Sequence, residues 1–179
     1  SMAAFSIEDA FIKHLSSTHS IAQILIVIGL ASAIFFAILA LKNGRIIWAS
    51  GLWTRLTFTR MLAAAFAGVA FVTSLSLVPL STVAAVFQIL PLTVTMGSAL
   101  CLGERVGWRG WAAIFVGFVG VLLIIKPGFE AFNPSVLLVL VAVLGIAVRD
   151  LVTRVIPDSV GSSIISFQAF SSVVVAGLF

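Results

Sequence analysis

Residues Thr73–Gly128 read TSLSLVPLSTVAAVFQILPLTVTMGSALCLGERVGWRGWAAIFVGFVGVLLIIKPG. The stretch contains two apolar runs, and each is long enough to cross a bilayer, because a spanning helix needs about 20 mostly apolar residues. Pro79 predicts a tight turn into the first run, and the charged elbow Gly103-Glu104-Arg105 joins the two runs. The pattern predicts a membrane hairpin, and the rest of the chain repeats it.

The composition of the whole chain agrees with a membrane protein. The 179 residues are 61% hydrophobic and 9% charged, and the mean hydropathy is +1.27. Soluble proteins are about 45–50% apolar and about 25% charged, so we predict an all-α polytopic membrane protein whose solvent is the lipid bilayer. The net charge of +4 does not indicate a nucleic-acid partner, because the basic residues flank the apolar runs.

Apolar runs along the chain predict six spans and the end of one more helix. The spans are Ser20–Leu41, Met61–Val78, Ser81–Leu102, Gly107–Ile125, Ser135–Ile156 and Ser162–Phe179. Ser1–Leu15 has too few apolar residues for a span and is expected to be the end of a helix that starts before the chain. The last span ends without flanking charges, so the natural protein is expected to continue. Residues 42–59 are predicted to form a loop with two interfacial tryptophans.

Basic residues predict the orientation of the bundle. Eight of the ten lie in loops on one side: Lys42, Arg45, Arg55, Arg60, Arg105, Arg109, Arg149 and Arg154. Only Lys13 and Lys126 lie on the other side. Because cytoplasmic loops carry an excess of Lys and Arg, the first side is predicted to be cytoplasmic.

Small residues at helical spacing predict two faces for close helix packing. Ala64 and Gly68 lie four apart in one span. A second face lies in the span Gly107–Ile125 and consists of Gly110, Ala113, Gly117 and Gly120. Small side chains let helix backbones approach each other in lipid, so a neighbouring helix is expected along both faces.

The chain also resembles itself at an offset of 141 residues. AAFSIEDAFIKHL at Ala3–Leu15 aligns with LGIAVRDLVTRVI at Leu144–Ile156. The alignment pairs Asp9 with Asp150 and Lys13 with Arg154. Five helices separate the two copies, and an odd number inverts the second copy in the membrane. Such inverted repeats are typical of secondary transporters.

The hairpin resembles the EamA-type drug/metabolite transporter superfamily. The resemblance rests on the turn at Pro79, on Pro91, on the elbow Gly103-Glu104-Arg105, on the glycine-rich helix after it, and on its stop at Lys126-Pro127-Gly128. It covers residues 20–127 well and residues 5–15 more weakly. On this resemblance, residues 1–128 are the first EamA repeat, with its first helix truncated, and residues 129–179 begin an inverted, incomplete second repeat.

The resemblance implies a secondary transporter of the bacterial inner membrane that exports or exchanges small metabolites such as amino acids, nucleobases or drugs. Such a protein has ten helices in two inverted repeats, so about three helices are expected to be missing here. Alternating access would expose a small-molecule substrate held between the repeats. No cofactor and no metal is implied. Proton coupling and a homodimer are left open.

Five residues are the candidates for substrate binding. Glu8, Asp9 and Lys13 are ionisable groups at a predicted helix end, and such groups in a membrane usually face a cavity or a partner. Gln88 and Pro91 lie inside a span, where Gln88 can hydrogen-bond a polar solute and Pro91 leaves the carbonyl of the residue four positions earlier unbonded. The alternatives are an interfacial ion pair for the first group and helix packing for the second.

Four charged residues are candidates for gating or for fixing the topology: Glu104, Arg105, Asp150 and Arg154. They lie at the cytoplasmic ends of predicted spans, where an interfacial anchor is the simpler interpretation. Ion pairs there could also open and close a path across the membrane. Arg149 precedes Asp150 and belongs to the same group.

Two further function classes remain as alternatives. A structural or assembly subunit of a membrane complex, without a transport path of its own, would use the same small-residue faces. An intramembrane enzyme is disfavoured. The lone Cys101 has no nearby histidine in the sequence, and the spans carry no pattern of nucleophile and base.

Overall fold

The computed structural model describes residues 12–13, 20–43, 53–125, 133–156 and 161–178. These residues contain no strand. Their helices are α1 (Ile21–Lys42), α2 (Arg55–Leu77), α3 (Leu80–Phe87), α4 (Leu90–Cys101), α5 (Trp108–Ile125), α6 (Val136–Val155) and α7 (Ser162–Gly177). Five segments are long and apolar enough to cross a membrane, with α3 and α4 counted as one, and α7 is a shorter apolar helix. The prediction of an all-α polytopic membrane protein is confirmed.

Side-chain caps fix where the first two helices begin. Ser20 and Gln23 form a reciprocal capping box at the start of α1, and Thr54 and Thr57 form one at the start of α2. The prediction that residues 42–59 form a loop is therefore wrong for residues 55–59, and α2 begins six residues before Met61. Hydropathy placed the boundary too late, because a helix can extend past the hydrocarbon region once its free N–H groups are capped.

The turn predicted at Pro79 is present. Val78 ends α2 in an extended conformation, with φ −121° and ψ 144°, as expected of a residue that precedes proline. Pro79 is then the N-cap of α3. The chain reverses direction between two spans within these few residues.

The predicted span Ser81–Leu102 is not one continuous helix. It is interrupted at Gln88 and Ile89, whose N–H groups donate to the carbonyls of Ala85 and Val86 at 3.4 Å and 3.1 Å, three residues back. The break lies just before Pro91, which has no N–H to donate and whose ring clashes with the preceding turn. The prediction of one continuous span is therefore wrong at these two residues.

Two groups of helices share α2 as their centre. One side of α2 contacts α6, which also contacts α3 and α4, and another side contacts α7. The core between α2, α3 and α6 is apolar and includes Leu75, Val86 and Val139, each completely buried. Helix α5 contacts α3 and α4.

Helices α1 and α7 form an extensive contact and run antiparallel. The end of α7 meets the start of α1, where Gly177 lies against Ala22 and Ile26. Farther along, Phe36 of α1 stacks on Phe170 of α7, with ring centroids 5.7 Å apart. Gly29 lies between these two points, and a side chain there would come within 2.7 Å of Val174. The absence of a side chain at Gly29 thus permits the close approach.

The two predicted small-residue faces have different outcomes. On α2, Ala64 is buried and Gly68 faces Val173 of α7, so the expected neighbour is present. On α5, Gly117 lies against Leu92 of α4, but Gly120 has no atom within 4 Å of the position of an added Cβ. Ala113 is exposed, and Gly110 lies against Val106, which follows the elbow, not against another helix. Within the described residues, the prediction of a neighbouring helix along this face is therefore confirmed at Gly117 and wrong at the other three positions.

Gly145 provides a test of the α2–α6 contact. An added Cβ would lie 2.9 Å from the Cβ of Ala67 and 3.2 Å from its Cα, which cannot move without the backbone. We expect Gly145→Val to lower the free energy of unfolding by about 1–3 kcal/mol through overpacking. The measurement is the thermal unfolding midpoint of the full-length protein in detergent.

Gly120→Val on α5 is the matched control, because it makes the same change where there is open space. It should leave the midpoint within one or two degrees of the parent. Equal midpoints for both variants would contradict the described α2–α6 packing.

Candidate functional site

One exposed surface of the bundle is formed by small and polar residues. Between Leu80 and Gly97, the exposed positions are Ser81, Ala84, Gln88, Pro91 and Thr95. Their spacing of three and four places them on one side of α3 and α4, despite the break between the two helices. We call this surface the polar face.

Other exposed helix surfaces are strongly apolar. The exposed large side chains of α1 include Val27, Leu30, Ile34, Phe35 and Ile38, and those of α5 include Phe115, Val116, Leu122 and Leu123. Side chains of this kind are the ones that hydrocarbon solvates best. The polar face differs from them in chemistry and is therefore less suited to contact lipid than these apolar surfaces.

Gln88 lies near the middle of this face and of its span. Its side chain is exposed, and its amide carries two N–H donors and one carbonyl acceptor. It is the ninth of the 22 residues of the span Leu80–Cys101, so it lies about 12 Å along the helix axis from Leu80. An amide at that depth provides hydrogen bonds where the bilayer provides none.

Pro91 adds a second feature to the polar face. It is also exposed and cannot donate a hydrogen bond to the carbonyl of Phe87. Its own carbonyl accepts from the Thr95 hydroxyl at 2.7 Å. The break thus places an amide side chain beside a backbone carbonyl that has lost its helical donor, and both can bind a polar solute.

Lys13 does not contact Gln88 or Pro91. Its ammonium group donates to the carbonyls of Leu75 and Val78, the latter at 3.0 Å. These carbonyls belong to the last turn of α2, where a cation also interacts favourably with the helix dipole. Lys13 therefore stabilises the α2 terminus near Pro79, and the structure does not bring it to Gln88. The other two candidates of this group, Glu8 and Asp9, lie outside the described residues.

Arg60 is a polar contact that the sequence analysis missed. Its Nε donates to the hydroxyl of Thr153 on α6 at 2.7 Å, and its Nη1 donates to the carbonyl of Ile165 on α7 at 2.9 Å. Arg60 thus joins three helices. We had counted it only as a basic residue near a loop. The usual sequence signature of a capping box has Glu or Gln three residues after the cap. Thr57 does not match it, so no clear sequence signal places Arg60 inside a helix.

The candidate gating residues lie at the same end of the bundle as Arg60. Arg154 of α6 pairs with Glu104 of the elbow at 3.2 Å, and both side chains are about half exposed. Arg149 pairs with its neighbour Asp150 at 2.8 Å. The structure therefore brings Glu104 and Arg154 together across 50 residues, while Arg105 is exposed beside them.

Comparison with known proteins identifies related transporters. The S-adenosylmethionine uptake transporter of Rickettsia bellii is 31% identical over 102 residues, which are 57% of this chain and 34% of that protein. The riboflavin transporter of Rhizobium johnstonii is 33% identical over 102 residues, or 57% of this chain and 33% of that protein. The chain thus covers about a third of the length of these relatives.

A shorter match has a higher sequence identity. The riboflavin transporter of Vibrio cholerae is 44% identical over 48 residues, which are 27% of this chain and 16% of that protein. No solved structure matches the chain. The profile of the EamA-like transporter family matches residues 1–126, well over half of the chain, and the chain therefore belongs to the EamA-like transporter family.

Proposed function

We propose that this chain forms part of a membrane transporter that moves small polar metabolites by alternating access. The observation that supports this most strongly is the polar face, where Gln88 and Pro91 lie exposed in mid-span, whereas the exposed surfaces of α1 and α5 are apolar. A surface that lipid solvates poorly must face protein, water or solute. On our proposal it lines the path of the solute, with Gln88 and the Phe87 carbonyl as hydrogen-bonding groups.

The relatives suggest a substrate class. They are named for S-adenosylmethionine and for riboflavin, and both molecules carry a fused nitrogen heterocycle with several donors and acceptors. An amide side chain can donate to and accept from such a ring at the same time. Uptake is the direction to test first, since one group of relatives is named for it. Export and exchange remain part of the proposal.

The α1–α7 contact supports an inverted repeat, in which residues 1–128 form the first unit and residues 129–179 begin the second. Helices related by a twofold axis in the membrane plane run antiparallel where they meet, and α1 and α7 do so. At the 141-residue offset Gly29 corresponds to Phe170, and an added Cβ at Gly29 would lie 3.3 Å from the Phe170 carbonyl. Contact between equivalent residues is expected close to such an axis.

Gln88→Leu tests the path. The change keeps the size of the side chain and removes its hydrogen bonds, so a substrate group would remain unpaired at a cost of about 1–3 kcal/mol. We expect initial uptake of S-adenosylmethionine or riboflavin at low concentration to fall about tenfold. The measurement uses the full-length protein in proteoliposomes.

Val116→Leu is the control, because Val116 also lies exposed in mid-span but on the apolar surface of α5. It should leave uptake near the parent level. Unchanged uptake in Gln88→Leu would remove the polar face from the path. If the parent transports neither compound, thiol labelling in a Cys101→Ser background tests the path, because Cys101 is itself exposed. A cysteine at 88 that a water-soluble reagent labels no faster than one at 116 would favour the structural-subunit alternative.

The ion pair between Glu104 and Arg154 is our proposed gate. It joins the elbow after α4 to the last turn of α6, and an exposed pair of this kind contributes only about 0–1 kcal/mol. A contact that weak can open during each transport cycle without stalling it. Arg105 and Asp150 lie beside it and would set the local charge.

A charge reversal tests the gate. Glu104→Arg and Arg154→Glu should each change the transport rate two- to fivefold, as expected for a pair worth up to about 1 kcal/mol. The double variant restores the pair with opposite polarity and should return the rate toward the parent value. Arg105→Gln controls for loss of charge alone. A double variant no better than either single variant would rule out the gate.

Proton coupling through Glu8 or Asp9 is a further part of the proposal. A carboxylate that takes up a proton on one side and releases it on the other would make uptake depend on a pH gradient. We therefore expect uptake by Asp9→Asn to be equal with and without the gradient. An Asp9→Asn variant that keeps the gradient dependence of the parent would exclude this role for Asp9.

A further inference from the structure

Two adjoining pockets lie along α2 and share Thr59, and we call them together the cleft. Its mouth is lined by Trp53, Arg55 and Phe58 with two threonines, and Thr59 continues from the mouth into a second section. That section lies between α2 and α6 and is lined by apolar residues such as Phe66 and Leu144. The cleft is therefore polar and aromatic at one end and apolar at the other.

Small residues on both helices create the apolar section. Gly145 of α6 contributes no side chain and lies against Ala67 of α2. Backbone atoms therefore form the floor of the groove. Ala63 adds only a methyl group. The walls are large, since Leu62, Phe66 and Leu144 are 56%, 63% and 55% exposed. The result is a narrow apolar trough suited to a linear hydrocarbon chain.

The mouth carries an available positive charge. Arg55 is exposed in the first turn of α2, and none of the described residues that line the two sections is acidic. The nearby Arg60 is bound to Thr153 and Ile165, and Asp150 is paired with Arg149. Trp53 is 42% exposed beside Arg55, as is typical of tryptophans at the headgroup level.

The length of the cleft matches one leaflet. Arg55 and Phe66 are 11 residues apart on α2, which corresponds to about 16 Å along a helix. Half of the hydrocarbon thickness of a bilayer is about 15 Å. A phosphate at Arg55 would therefore lie at the membrane surface while the groove reaches the centre of the bilayer.

We propose that this cleft binds an anionic phospholipid, with its phosphate at Arg55 and one acyl chain in the groove between α2 and α6. The site is independent of the polar face, which lies on α3 and α4. It predicts a selective lipid partner at this surface, in addition to the general solvation of the bundle by the bilayer.

The experiment counts lipids bound to the intact full-length protein by mass spectrometry from detergent, during titration with phosphatidylglycerol or phosphatidylcholine. We expect the parent to prefer phosphatidylglycerol. Arg55→Gln should weaken its binding about fivefold, the factor expected for one cation near an anionic headgroup, and leave phosphatidylcholine unchanged. Ala63→Phe fills the groove and should weaken both lipids.

Two matched controls separate this site from general lipid binding. Arg109→Gln removes another exposed arginine, from the first turn of α5. Ala112→Phe adds an aromatic ring on the exposed surface of α5. Both variants should bind lipid as the parent does. Equal binding of the two lipids by the parent would overturn the proposal. It would also be overturned by an unchanged Ala63→Phe, which means that other parts of the protein cover the groove, or by competition from inorganic phosphate, which means a simple anion site.

Discussion

The interaction on which the bundle depends most is the one that Arg60 makes with two other helices. Its guanidinium joins Thr153 of α6 and the Ile165 carbonyl of α7 to α2. In a bilayer, the hydrophobic effect does not hold helices together, because lipid tails are as apolar as leucine. Close backbone approach and satisfied polar groups must do this instead. Arg60 supplies the polar contact at one end, and Gly145 and Gly29 allow the close approach along the rest of α2 and α1.

How much of this could be predicted depends on whether a feature is local. Five of the six predicted spans, the turn at Pro79 and the membrane class follow from hydropathy and from proline geometry, which act within a few residues. The sixth predicted span, Ser162–Phe179, corresponds to the shorter helix α7. The start of α2 was missed because a capping box outweighs hydropathy at a helix end. The contacts of Arg60 and the pairing of Glu104 with Arg154 join residues about 50 to 105 positions apart. No local pattern specifies such partners.

The candidate site could likewise be predicted only where its features are local. Gln88 and Pro91 were identified because a polar residue and a proline in an apolar run are conspicuous. Their common surface with Ser81, Ala84 and Thr95 became visible only when exposure was known. Lys13 was assigned to the same function, but its bonds to Leu75 and Val78 place it at a helix terminus. A charged residue in a membrane needs a partner, and here backbone carbonyls serve as well as a substrate would.

The two ends of the bundle are held by different chemistry, and this bears on which end can open. At the Lys13 end, a cation binds carbonyls that α2 itself leaves unsatisfied. Leu75 and Val78 are buried, so losing the contact leaves their carbonyls without a partner. At the Glu104–Arg154 end, both charges are about half exposed, so water can replace the partner when the pair separates. On our proposal, Arg60 keeps α2, α6 and α7 together when the elbow moves, because it binds Thr153, the neighbour of Arg154, and the carbonyl of Ile165. On our proposal, opening at the elbow is therefore the less costly motion, and Arg60 is its fixed point.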